Sequence, residues 1–199
     1  MLQAVDIAVA YDAALIERAE GHWSPAQVRR QLDIPKATLS KALERLREAG
    51  IVREAFINRA VLAGLLPLLP SLVPARPHSE VLVPGLRTGV AAPGFQGHIR
   101  AEPALVWQLD GGPDLGLAIP PLHPRIPARV HERQDPAHYG LLAFLDAIRG
   151  GRAREVAYGV QGVRLLCGLP PSPGITPSPR LSAAVAQLVE DIESWEARP

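Results

Sequence analysis

The sequence predicts an α+β protein, and three observations point there. Apolar residues recur at helical spacing near the N-terminus and again in the C-terminal third. Between these parts, from Pro67 to Pro127, lie twelve of the chain's 21 prolines, which excludes long helices. That middle part is still apolar: SEVLVPGLRTGV, HIRAEPALVWQLD and LGLAIPPL read as short strands or extended segments. The expected organisation is residues 1–66 as a first domain, 67–134 as a Pro-rich segment with short strands, and 135–199 as a helical C-terminal region.

From Val5 to Glu20, residues Val5, Ala8, Val9, Asp12, Leu15, Ile16 and Ala19 share helical spacing and predict a first helix. His22 and Trp23 fall in the connection, with Trp23 read as a core plug. Ser24 suits an N-cap and Pro25 the first helical position, so a second helix starts there, with Val28 and Leu32 on one side. Asp33-Ile34-Pro35 breaks it, because the residue before a proline avoids the α region and the proline ring fits only a first turn. A third helix runs from about Pro35 to a stop at Gly50. On its wheel Leu39, Ala42, Leu43 and Leu46 form one apolar stripe. Ala37, Ser40, Lys41, Glu44 and Glu48 point the other way, flanked by Lys36, Thr38, Arg45 and Arg47. Seven basic residues from Arg29 to Arg53 face three acids, a balance of +4 in a chain whose net charge is +1.

LDIPKATLSKALERLREAGIV, with its Thr-Leu-Ser step and leucine-spaced run ending in Ala-Gly-Ile-Val, resembles the core of winged helix-turn-helix regulators of the MarR-like type. The resemblance covers the first third of the chain. It implies that the third helix enters the major groove, with Lys36, Ala37, Ser40, Lys41 and Glu44 toward base edges. Arg29, Thr38 and Arg45 would then be phosphate contacts. The chain departs from the family after IVRE, where Ala55-Phe56-Ile57 leads straight to Asn58 as the cap of another helix, so the wing is short or missing. Asp33, Glu44, Glu48 and Glu54 weaken non-specific attraction to phosphates, which makes a homodimer the expected DNA-binding form.

Asn58 to Leu69 begins as a helix interrupted by Pro67 and Pro70. Asp135-Pro136 starts another, which ends at Gly150-Gly151. RAREVAYGVQGVRLLCG follows as a further helix, and Gly159 and Gly162 inside it imply close packing against another backbone. HYGLLAFLDAIRGGRARE resembles segments of helix-turn-helix proteins from toxin–antitoxin and defence loci, which implies a toxin or other protein partner. Asp146, Arg149, Arg152, Arg154 and Glu155 gather at the glycine break. Two readings stand: Arg149, Arg152 and Arg154 aimed outward at a partner or anion, or an intramolecular salt-bridge group. Beyond GLPPSPGITPSPR, residues Leu181, Val185, Leu188, Ile192 and Trp195 take coiled-coil spacing, for a dimer contact or for docking on the chain's own domain.

The six histidines have no metal-ligand spacing and GLRTGVAAPGFQG lacks the Lys-Ser/Thr of a phosphate loop. The lone Cys167 reads as a buried apolar residue, His123 and Arg125 as parts of a rigid surface turn. The N-terminus carries Asp6 and Asp12 in its apolar run and is no signal peptide; no apolar run is long enough to span a membrane. The expectation is therefore a cytoplasmic, non-enzymatic, sequence-specific regulator of transcription without cofactor or metal, a dimeric repressor binding double-stranded DNA. Its fold class is α+β, an N-terminal winged helix-turn-helix with reduced wing plus a C-terminal mixed domain of short strands and helices for dimerisation, sensing or antitoxin-like partner binding. The alternative is a protein-interaction adaptor that binds no DNA.

Overall fold

The computed structural model describes residues 1–54, 56–93 and 102–171, and within the C-terminal tail residues 179, 182, 183, 186, 187 and 190. The leucine-spaced seam at Leu181, Val185, Leu188, Ile192 and Trp195 lies outside the described residues. The architecture is α+β as the sequence predicts. Three helices, α1 (Ala4–Glu20), α2 (Pro25–Leu32) and α3 (Lys36–Glu48), lead into a hairpin of β1 (Val52–Arg53) and β2 (Phe56–Ile57).

Helix α1 is the axis of the molecule. Every residue from Val5 to Ala14 is buried, because α2, α3 and α4 (Arg59–Leu65) cover one side of it and α7 (Pro136–Gly150) and α8 (Ala153–Cys167) another. Two carboxylates, Asp6 and Asp12, are enclosed with it at 0 % exposure. Such charges persist in a core only when paired, and each has its partner. Asp6 accepts from Arg45, and Asp12 lies 2.8 Å from Nδ1 of His138.

The caps and breaks of the next elements follow from their sequence. Ser24 Oγ accepts from the Gln27 amide, and Asp33 turns the chain with a left-handed φ of 50°. Leu39, Ala42, Leu43 and Leu46 of α3 are all buried, as the wheel predicts. Gly50, at φ 69°, closes α3, and the Ile51 amide bonds back to Leu46 O at 2.9 Å. The hairpin pairs Val52 with Ile57 and Arg53 with Phe56, so the wing is a two-rung stub. Asn58 then caps α4 by accepting from the Val61 amide. Pro67 and Pro70 do not end the helical path but divide it: a 3-10 turn at Leu66–Leu68 passes into the single turn of α5 (Leu69–Leu72).

The apolar middle supplies three strands, β3 (Leu82–Arg87), β4 (Leu105–Gln108) and β5 (Asp114–Ala118), which curl into a closed barrel. Strand β3 runs antiparallel to both others, and β4 and β5 are parallel although only residues 109–113 join them. A parallel pair ordinarily needs a crossover of about a dozen residues. Here β3 lies between them, and Gly85 pairs with Gln108 on one side and Asp114 on the other. A Cβ at Gly85 would lie 2.2 Å from the Trp107 carbonyl oxygen, so only glycine allows this close approach of the two strands.

Helix α6 (Ile126–Arg133) occupies a stretch read as part of the Pro-rich segment. Pro127 stands in its first turn, where a missing N–H costs nothing, and Ile126 and Val130 are its buried face. Helix α7 begins at the predicted Asp135-Pro136 cap, with Asp135 Oδ1 accepting from the His138 amide, and ends at Gly150. It packs on α8 where Gly159 meets the Phe144 carbonyl and Gly162 the Phe144 ring. Most of the buried apolar residues form one continuous cluster, which runs from α1 through α8 and takes in Leu86 of β3 and Trp107 of β4.

Candidate nucleic-acid interface

The exposed face of α3 carries Lys36, Ala37, Ser40, Lys41, Glu44, Arg47 and Glu48, with Thr38 half-buried at its edge and Arg29 exposed on α2. These positions share a surface because the apolar stripe fixes the roll of the helix: once Leu39, Ala42, Leu43 and Leu46 face the core, Ser40, Lys41, Glu44, Arg47 and Glu48 face solvent. Among the described residues Arg29, Lys36, Lys41 and Arg47 have no ion-pair partner, so their charge is directed at solvent.

Arg45 differs from the expected phosphate contact. Its guanidinium turns inward and donates Nε to Asp6 Oδ2 at 2.7 Å and Nη2 to Asp6 Oδ1 at 2.6 Å. The Gln3 amide adds a third donor to Asp6 Oδ2 at 2.7 Å. A bidentate guanidinium on a fully enclosed carboxylate fixes both spacing and rotation. Arg45 therefore locks α3 to α1.

A second brace comes from residues 125–135, about a hundred positions further along the chain. Arg125 donates to the Asp33 carbonyl at 3.4 Å and to its carboxylate at 3.2 Å; Arg129 donates Nη2 to the Arg30 carbonyl at 2.8 Å. Gln31 Nε2 donates to Asp135 Oδ2 at 2.6 Å. The α2–α3 turn is thus held by α6 and the start of α7, the carbonyl end of α2 is capped by a cation, and the negative charge of Asp33 is matched. Arg125, expected with His123 in a rigid surface turn, belongs to this brace, and its backbone amide donates to His123 Nδ1 at 3.3 Å; burial, and then the positive charge of Arg125, hold the imidazole of His123 below its ordinary value.

The two readings for the cluster at the glycine break separate. Arg149 does not face outward: at 4 % exposure it pairs with Asp146 and donates to the carbonyls of Val73 and Pro120. The cause is Asp146, whose Oδ2 also accepts from Thr88 Oγ1 at 2.8 Å and Trp107 Nε1 at 2.6 Å. Burial pushes the Asp146 carboxyl up, and Arg149, Thr88 and Trp107 oppose the shift. The group ties the small barrel to α7. Arg152 and Arg154 remain exposed, Arg154 lying 5.9 Å over the ring of Tyr158.

The expectation for Cys167 resolves simply. Cys167 is enclosed with its Sγ 3.6 Å from the Tyr11 carbonyl, and burial pushes its thiol far above the ordinary value, which is the opposite of a nucleophile. The described residues contain no group of three or more His, Cys, Asp or Glu side chains able to hold a metal, and no helix among them is long and apolar enough to cross a membrane. Reading by residue type missed the partners of Asp6 and Asp12, although two acids inside an otherwise apolar helix are a visible sign that partners exist.

With α1, the turn and α3 placed, the comparison with known families becomes informative. The model of a helix-turn-helix domain family matches residues 13–55, from the second half of α1 through α2 and α3 to the hairpin turn. The chain carries an N-terminal helix-turn-helix domain. No curated protein and no solved structure matches the chain. The helix-turn-helix domain stands on a C-terminal part that grips its turn through Arg125 and Arg129.

Proposed function

We propose that this protein is a sequence-specific DNA-binding regulator of transcription in which α3 enters the major groove. The observation that carries the reading is the division of charge on the helix-turn-helix. Its inward cation, Arg45, is neutralised by Asp6 and its turn acid, Asp33, is matched by Arg125, while Arg29, Lys36, Lys41 and Arg47 are left facing solvent. Lys36, Ala37, Ser40, Lys41 and Glu44 are the base-edge candidates; Arg29 and Thr38 are the phosphate contacts, and Arg45 positions the helix. The resemblance to MarR-like regulators supports the same assignment.

The protein acts in this reading as a cytoplasmic homodimer and a repressor. A two-rung wing offers few phosphate contacts, and Glu44, Glu48 and Glu54 are exposed beside the basic side chains, so one copy alone binds weakly. Two copies on a palindromic site double the contacts and read two half-sites. Arg152 and Arg154 are the surface left for a protein partner.

Fluorescence anisotropy with the DNA upstream of the protein's own coding sequence and with a scrambled duplex, at two salt concentrations, tests the proposal. Tight binding to the first and weaker, salt-sensitive binding to the second is expected. Absence of binding to both would return the chain to the class of protein-interaction adaptors.

A further inference from the structure

Behind the helix-turn-helix, between α1, α2, the α6–α7 corner and α8, lies a cleft of about 370 Å³, within the size range of small-molecule sites. Its lining changes character with depth. Leu166 of α8 is buried at the floor, and Leu15 and Ile16 of α1 are half-buried on the wall. Arg18 of α1, Arg30 of α2 and Arg133 of α6 are exposed at the rim. Asp12 borders the cleft too, but its side chain is fully enclosed against His138 and is closed to an occupant.

The charges at the rim are unevenly matched. Two acids share it with the three guanidiniums, and both are engaged. Glu20 accepts from Gln27 at 2.6 Å; Asp135 accepts from Gln31 at 2.6 Å and from the His138 amide at 3.0 Å, with Arg133 4.0 Å away. Arg18 and Arg30 are exposed and have no ion-pair partner among the described residues. We propose that this cleft binds a small amphipathic carboxylate, whose head group lies between Arg18 and Arg30 and whose hydrocarbon body runs inward along Leu15, Ile16 and Leu166. A guanidinium meets a carboxylate with two parallel N–H donors, and the surplus of cations over acids favours an anionic head over a neutral or cationic one. The apolar floor adds a hydrophobic contribution that grows with each methylene laid on it.

The position gives such a ligand a consequence for α3. The Gln31–Asp135 hydrogen bond joins two lining residues across the cleft, and the backbone carbonyl of Arg30 accepts from Arg129. An occupant held by the Arg30 side chain would bear on α2 at the point where the C-terminal part grips it. This consequence rests on the DNA-binding reading; binding of the carboxylate does not.

Isothermal titration calorimetry of the full chain with octanoate, octanol, octylammonium and butanoate tests the site without DNA. Octanoate is expected to bind at least about tenfold more tightly than octanol or octylammonium, the worth of one charge-assisted hydrogen bond. It should exceed butanoate by about tenfold or more, through the methylenes that reach the apolar floor. In the double variant Arg18→Gln, Arg30→Gln, which changes two exposed side chains, octanoate should bind no better than octanol. Ala19→Trp, on an exposed lining position where a large side chain does not disturb the core, should block octanoate. No binding, octanoate no tighter than octanol or octylammonium, or a preference unchanged in the double variant would overturn the proposal. Equal binding of butanoate and octanoate would reduce the site to a bare anion contact, and full binding by Ala19→Trp would place the ligand elsewhere; either overturns it as well. Anisotropy with upstream DNA, with and without octanoate, then reads the coupling. An unchanged DNA affinity with the calorimetric preference intact would overturn the regulatory consequence alone, and failure to bind DNA at all would overturn the DNA-binding reading while leaving the site.

Discussion

Arg45 of α3 makes two hydrogen bonds, of 2.7 and 2.6 Å, to Asp6, a carboxylate in the first turn of α1 with no exposure to solvent. One residue of the outward-looking helix is thereby committed to the inside. The two elements that must keep a fixed angle for α3 to project are joined by a charged pair rather than by apolar packing alone.

Removing Arg45 leaves Asp6 enclosed without its counter-charge. Arg45→Ala is expected to lower stability by about 3 kcal/mol, the lower end for breaking a buried pair by deleting one partner. Asp6→Asn in the same chain should recover part of the loss, because the uncompensated charge is gone. Lys41→Ala, on the exposed face, should stay within about 0.5 kcal/mol of the parent. Urea denaturation of the four proteins checks this; equal stability of Arg45→Ala and Lys41→Ala would contradict the inward role.

How much of this was legible in the sequence depended on distance along the chain. The α3 stripe, the Asp33-Ile34-Pro35 break, the Gly50 stop and the Asp135-Pro136 cap are local patterns, and each is found where the residues imply. The partners of Asp6 and Asp12 are 39 and 126 residues away, and no local rule connects them. Arg45 and Arg149 look like surface cations by residue type, yet each turns inward because a buried carboxylate requires it. Helix α6 lies at the end of the proline-rich run that excludes long helices, and it forms because it is short and Pro127 occupies its first turn. The barrel strands were visible as segments, but their closure depends on Gly85 pairing on both edges, which only tertiary structure reveals.

The brace on the turn should be separable from the fold. Arg125 and Asp33 are both 56 % exposed, so this pair is screened and contributes little to global stability. The double variant Arg125→Ala, Arg129→Ala is expected to cost no more than about 1 kcal/mol overall, yet to release the carbonyl end of α2. Hydrogen exchange should show faster exchange for amides around residues 30–36 with the rest unchanged. Unchanged exchange there would mean that the C-terminal part does not hold the turn.

Asp12 makes stability depend on pH with a definite sign. Burial pushes its carboxyl above the ordinary 3.8, with the charge and hydrogen bond of His138 opposing. The folded chain therefore keeps this proton to higher pH than the unfolded chain does. The contribution is intact below the ordinary aspartate range and is lost as pH rises from there through the raised native value. Asp12→Asn removes the titration, so its stability relative to the parent should climb across that window and then level off. Asp146 is raised in the same way but is common to both proteins and cancels in the difference. Denaturation midpoints over a pH series check the sign; a difference independent of pH would contradict it.

Close packing of α7 on α8 is exposed to a single methyl group. A Cβ at Gly162 would lie 2.3 Å from the Phe144 ring, and Phe144 is fully buried. Gly162→Ala gains up to about 1 kcal/mol of helix propensity and loses about 1–3 kcal/mol to overpacking, so a net loss is expected. A thermal melt reads it, and a stabilised variant would show that the two helices are not in close contact at this point.

In the proposed reading the outer face of α3 reads DNA sequence, and Lys41 tests this most directly because it is exposed and, among the described residues, has no ion-pair partner. The measurement is a competition titration by fluorescence anisotropy, comparing the parent and Lys41→Ala on upstream DNA and on a scrambled duplex. The variant is expected to fold normally, and its preference for upstream over scrambled DNA to shrink by about 1–3 kcal/mol, the worth of one base contact. A folded Lys41→Ala protein with the parent's affinity and preference would contradict it.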